Sequence, residues 1–206
     1  DLPAEGPARP GPAGFALDGG TTVVDFETPQ SVALFGHEGL PRDDEDFFAA
    51  YILNEILGGR GVQSRLMEEV REKRGLTYGV STYLVPKDHA ALYLGNLASA
   101  NDRIAEAIAG IRDEWARMAD EGVSATVLAD AKTYLTGAYP LRFDGNAEIA
   151  GILAGMQATG LPSDYVENRN GYIEAVTLEE VNRVAHELLD PEALHFVVVG
   201  QPDGLE

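Results

Sequence analysis

Apolar positions along the chain change period several times, and each change predicts an element. Thr21–Phe26 and Ser31–Gly36 alternate like short strands on either side of Thr28-Pro29. Asp43 and Asp44 are placed to cap a helix whose interior, Phe47 to Leu53, is apolar on most faces and therefore predicted to be deeply buried. Gly58-Gly59 ends it and reads as a flexible terminator. A short charged helix over 65–74 follows, with Ser64 as N-cap and Gly75 as the residue that closes it. Thr77–Val85 and Ala90–Ala98 then read as a hairpin turning at Pro86-Lys87-Asp88.

The next hundred residues are helical. Ile104, Ile108, Ile111, Trp115 and Met118 step by four and three along one face, and Val127, Leu128, Ala131, Leu135 and Ala138 repeat the stripe up to Pro140. Another helix is predicted over 145–159, and Ser163 or Asp164 opens a further short one. Thr177-Leu178-Glu179-Glu180 has capping-box spacing and starts a last helix ending near Leu189. His195–Gly200 is a β-branched strand suited to the middle of a sheet. Strands at both ends with helices between them predict one α+β domain over 21–202, a mostly antiparallel sheet with helices packed on one face. Residues 1–20, with four prolines and five glycines, read as a linker, and 203–206 as a tail or cloning scar. The start at Asp1 suggests a piece of a longer polypeptide.

The 206 residues are 45% hydrophobic, enough for a substantial core, and no stretch approaches the roughly 18 apolar residues of a membrane span. Fifteen basic residues against 34 acidic ones leave a formal charge of −19, which repels phosphate backbones and argues against nucleic acid. A solvated acidic surface is the plainer account of it, and if the charge means more than solubility it favours cationic ligands or basic peptides. With no cysteine there is no disulfide or thiolate site. Hydrolytic zinc needs about three protein ligands, commonly two His one helical turn apart. Neither H-E-x-x-H nor H-x-x-E-H occurs, and His37, His89, His186 and His195 read as structural or surface residues, with His37 in a loop before Pro41.

Candidate chemistry narrows to Arg71 and Tyr78. The first falls in the last turn of the short helix, the second at the start of the following strand, so both could hydrogen-bond a single oxygen. A plainer reading pairs Arg71, Lys73 and Arg74 with the helix dipole and with Glu68 and Glu69, and makes Tyr78 an ordinary strand aromatic.

The segment as a whole, Gly58-Gly59 with Ser64-Arg65-Leu66 and Arg71-Glu72-Lys73-Arg74-Gly75-Leu76-Thr77-Tyr78, resembles the C-terminal domain of the pitrilysin/insulinase family of zinc metallopeptidases, nearest to its processing-peptidase branch. That resemblance implies two homologous α+β halves enclosing a peptide-sized chamber. One half carries the inverted zinc motif and the other an Arg/Tyr pair, which by position would be Arg71 and Tyr78, donating to the substrate carbonyl and the developing oxyanion. It implies no cofactor in this chain, zinc in a homologous partner half, a peptide substrate, and no cleavage by the isolated chain. Arg60-Gly61-Val62-Gln63 departs from the smaller, glycine-rich residues common there. Because relatives on this fold also serve as scaffold subunits, a non-catalytic binding role is the alternative.

Overall fold

The structure, a computed structural model, describes residues 6, 11, 13–59, 63–87 and 89–205. Most of the proline-rich start, Arg60-Gly61-Val62 and the hairpin tip Asp88 therefore lie outside the described residues.

Five strands form one sheet: β1 (Gly20–Asp25), β2 (Gln30–Glu38), β3 (Val80–Lys87), β4 (Ala90–Ala100) and β5 (His195–Gly200), in the spatial order β1-β5-β2-β4-β3. Every neighbouring pair is antiparallel except β1 and β5, which run parallel with Gly20 opposite His195 and Asp25 opposite Gly200. The closing strand is thus interior, between the opening strand and β2, while β2 is the middle of the sheet.

Among the described residues six α-helices fill the connections: α1 (Phe47–Leu57), α2 (Ile104–Glu121), α3 (Ala125–Ala138), α4 (Asn146–Ala158), α5 (Tyr165–Ala175) and α6 (Leu178–Leu188). Of these, α3, α5 and α6 pack on α1 and α2, which lie against one face of the sheet. Alternation along β2 shows it, with Ser31, Ala33, Phe35 and His37 buried while Val32 and Leu34 face out. Trp115 of α2 sits at the centre of this interface, packed edge-on against Phe35 and His37 and tilted against Tyr93.

Local signals hold at several helix ends. Thr177 and Glu180 form the full capping box of α6. Gly75 takes φ +61, the left-handed conformation that a closing glycine supplies at no steric cost. Other ends are set by tertiary packing. At α1 the N-cap position is Asp46, with no side-chain cap; Asp44 instead accepts the Asp46 amide at 2.8 Å. Ser64 caps nothing, because its hydroxyl is buried without a partner. The charged helix is a π-helix over Met67–Lys73, closed by the Gly75 amide donating to the Arg71 carbonyl, the bond of a left-handed cap, and by the Leu76 amide donating to that of Val70. Nor is Gly58-Gly59 a loose terminator: the Gly58 carbonyl accepts the Thr82 amide at 2.7 Å, docking the end of α1 on the edge strand β3.

Candidate functional site

The corner from Leu76 to Gly79 connects the π-helix to β3 and carries Tyr78. Because β3 begins at Val80, Tyr78 lies in this connection and not at the start of the strand. The corner is fixed to β4 before the tyrosine by side-chain bonds and after it by the pairing of Val80 with Leu97. The Ser99 hydroxyl donates to the Leu76 carbonyl, and the Thr77 hydroxyl bonds the Ala98 carbonyl at 2.7 Å while accepting the Gly79 amide at 3.1 Å. Leu76 and Thr77 are buried, yet Tyr78 between these anchors is 86% exposed. Its backbone is held, and its phenol stands in solvent.

Arg71 lies in the last turn of the π-helix with its side chain 42% exposed. Its Nε is 3.5 Å from Glu72, an exposed ion pair of little energetic consequence. The acidic residues expected to occupy it are engaged elsewhere: Lys73 takes both Glu68 and Glu69, and Arg74 reaches toward Asp113 at 4.0 Å. No hydrogen bond joins Arg71 to Tyr78; each presents its donors outward. Below them, Arg117 of α2 pairs with buried Glu114 at 2.7 Å and lies 3.8 Å from Glu69, tying the π-helix to α2. Burial raises the pKa of Glu114, and the charge of Arg117 opposes that rise.

The sheet face opposite the helices leads to this corner. Val24 pairs with Val199, Val199 with Val32, and Val32 with Ala98, the residue whose carbonyl holds Thr77. Val24, Val32 and Val199, with Val197 and Leu34 in the adjoining row, are exposed. Adjoining exposed apolar residues of this kind are suited to contact with a partner surface. A sequence signal for it exists in Val197-Val198-Val199, which is apolar on both parities, as in strands covered on both faces.

The histidines do not suit a metal. His37 is on β2, not in a loop, and is buried. Its Nδ1 lies 2.6 Å from the Glu38 carbonyl and its Nε2 is 3.1 Å from the Trp115 indole nitrogen, which can only donate. Both ring nitrogens are therefore engaged in the neutral tautomer protonated at Nδ1, and burial lowers the pKa, a shift that the bond to Glu38 opposes. His195 has Thr22 and the Asp18 carbonyl at its two nitrogens. Among the described residues no group of three His, Asp or Glu is arranged to hold a metal ion, so the residues present do not fit zinc.

The family model of the peptidase M16 inactive domain matches residues 1–135. An uncharacterized zinc protease of Mycobacterium tuberculosis is 31% identical over 169 residues, which span 82% of this chain and 38% of that protein. A non-peptidase homolog of Helicobacter pylori is 27% identical over 181 residues, 86% of this chain and 41% of its own. The solved peptidase M16 inactive domain from Pseudomonas fluorescens superposes with a TM-score of 0.84 at 30% identity, covering 97% of this chain and 48% of that one. The chain thus spans less than half the length of these relatives.

Proposed function

The chain belongs to the peptidase M16 inactive domain family, and we propose that it is the substrate-positioning half of a zinc endopeptidase, with Arg71 and Tyr78 as donors to the substrate. The observation that carries this reading is the corner itself. A phenol pinned by its neighbours yet 86% exposed, with a guanidinium on the adjoining helix, has its donors ready for an oxygen that arrives from outside. In that role the two groups bind the scissile carbonyl and strengthen as negative charge develops on its oxygen. Preorganised donors of this kind are worth about 3 kcal/mol each in transition-state stabilisation.

The exposed apolar row supports the same reading, since it gives a facing half or an extended peptide a surface that ends at Ala98, whose carbonyl holds Thr77 of the corner. Zinc belongs to the homologous half, in the same full-length polypeptide or in a separate subunit, and the 206-residue chain alone cleaves nothing. The acidic surface favours basic peptides as substrates.

In the full-length or reconstituted enzyme, Tyr78→Phe and Arg71→Ala are expected to lower kcat/KM by about 100-fold each while leaving the fold intact. Full activity in both variants would remove the pair from catalysis. A second reading, a non-catalytic binding subunit on this fold, is favoured by the Helicobacter pylori relative named a non-peptidase homolog. It predicts that the complete protein, loaded with zinc, hydrolyses no peptide.

A further inference from the structure

On the helical side of the domain, α1, α4, α5 and the turn Pro140–Arg142 line an open cavity of about 660 Å³, a volume in the range of small-molecule sites. Its charge runs against that of the chain. Arg42, Arg142 and Arg169 all line it, although basic residues number only 15 against 34 acidic ones. Among the described residues none of the three is ion-paired.

Arg169 is the most constrained of them. It is 5% exposed, and a buried guanidinium without a carboxylate is costly unless something else satisfies it. Its Nη1 donates to the Leu135 carbonyl at 2.9 Å and to Asn170 Oδ1 at 3.0 Å, and its Nη2 to the Tyr51 hydroxyl at 3.3 Å. The Tyr139 and Tyr51 rings lie 4.3 Å and 5.4 Å from its central carbon. A guanidinium has five N–H donors, so among the described residues these three bonds leave the Nε–H and one Nη2–H without an acceptor. Those two nitrogens form the edge that meets both oxygens of a carboxylate side-on.

The rest of the lining suits what a carboxylate would be attached to. The half-buried Phe48 and Tyr165 present aromatic surface to the cavity, and the Arg42 guanidinium sits 4.4 Å over the buried Phe47 ring. The acidic residue there, Glu148, is turned back toward Gly145 at the N-terminus of its own helix, where the helix dipole favours it. The α4 wall is lightly packed: Met156 is its buried residue, and Leu153 is exposed despite its apolar side chain.

We propose that this cavity binds a small organic anion, a carboxylate carried on an aromatic or aliphatic body, with the free edge of Arg169 as its anchor and Arg42 and Arg142 as attracting charges. The proposal goes beyond the peptidase reading and does not depend on it, because the cavity is lined by neither Arg71 nor Tyr78. Two sources share this chemistry: the C-terminal residue of a peptide, and a free aryl or fatty acid.

Calorimetric titration of the 206-residue chain at low salt tests it, with N-acetyl-L-phenylalanine, its uncharged primary amide and octanoate as probes. At least one carboxylate should bind saturably and about tenfold or more tightly than the amide, because a charge-assisted pair is traded for a neutral one. A preference for the acylated amino acid points to a peptide end, and a preference for octanoate to a free acid. Arg169→Lys keeps the charge but loses the planar edge and should weaken binding about tenfold. The exposed Arg142→Gln should weaken it about fivefold with the fold unchanged, and it decides the matter if the buried variant does not fold. Equal affinity for acid and amide, no saturation by about 10 mM ligand, or parental affinity in every folded variant would overturn the proposal.

Discussion

Replacing Gly58 by alanine isolates the contact that docks α1 on the edge strand beside the Tyr78 corner. The backbone there has φ −154, outside the left-handed region that favours glycine, so the argument is one of space for a Cβ. A Cβ at Gly58 would lie 2.4 Å from Thr82 Oγ1, 2.8 Å from Thr82 Cγ2 and 3.0 Å from Leu66 Cδ1. Thr82 cannot turn aside freely. Its hydroxyl donates to Asn54 Oδ1 at 2.9 Å in a buried setting, and its amide donates to the Gly58 carbonyl at 2.7 Å. Overpacking costs about 1–3 kcal/mol and a disrupted buried hydrogen bond about 1 kcal/mol, so Gly58→Ala should destabilise the chain by about 2–4 kcal/mol. Thr82→Ala removes both nearest atoms. In that background the same glycine substitution should cost less than about 1 kcal/mol, a coupling of at least about 1 kcal/mol. Urea denaturation of the parent, the two single variants and the double variant measures all four stabilities. An equal cost in both backgrounds, or a Gly58→Ala cost under about 0.5 kcal/mol, would refute the steric argument.

Three further predictions concern separate parts of the molecule. Because burial lowers the His37 pKa, the unfolded chain binds the extra proton first; the contribution of this residue to stability is complete above pH about 6.5 and is lost as pH falls below it. Titration of the His37 ring by NMR should show a midpoint below 6.5, and one at or above 6.5 would contradict the buried neutral tautomer. Thr177→Ala removes the hydroxyl that accepts the Glu180 amide and should cost about 1 kcal/mol by urea denaturation, whereas an unchanged midpoint would mean that α6 is held by packing alone. Tyr78→Phe and Arg71→Ala, being exposed, should each change stability by less than about 0.5 kcal/mol; a loss of several kcal/mol would make the pair structural.

Much of the secondary structure was legible because its signals are local. The stripe Ile104, Ile108, Ile111, Trp115 predicts α2 by spacing alone, and all four residues are buried. Thr177 and Glu180, three residues apart, suffice for a capping box, and a glycine at position 75 for a left-handed close. The family resemblance was likewise readable as a string, and the family model that matches residues 1–135 bears it out. Where the sequence reading went astray, the deciding partner lay far away in the chain. Ser64 has the right type and place for a cap, but packing buries its hydroxyl without a partner. Tyr78 reads as a strand residue until Ser99 and Thr77 fasten the corner to β4 and hold it outside the ladder.

By itself the sequence determined the number and order of the elements, the alternation that leaves one sheet face to the helices, and the absence of any inverted zinc motif. Periodicity, capping and motif spacing act within a few residues, so a string can carry them. Tertiary structure alone decided that β1 and β5, some 170 residues apart, pair in parallel, that His37 is sealed against Trp115, and that Arg169 is buried with an unfilled edge. Each of these depends on which groups lose water together when distant segments meet, and that desolvation has no counterpart in local sequence.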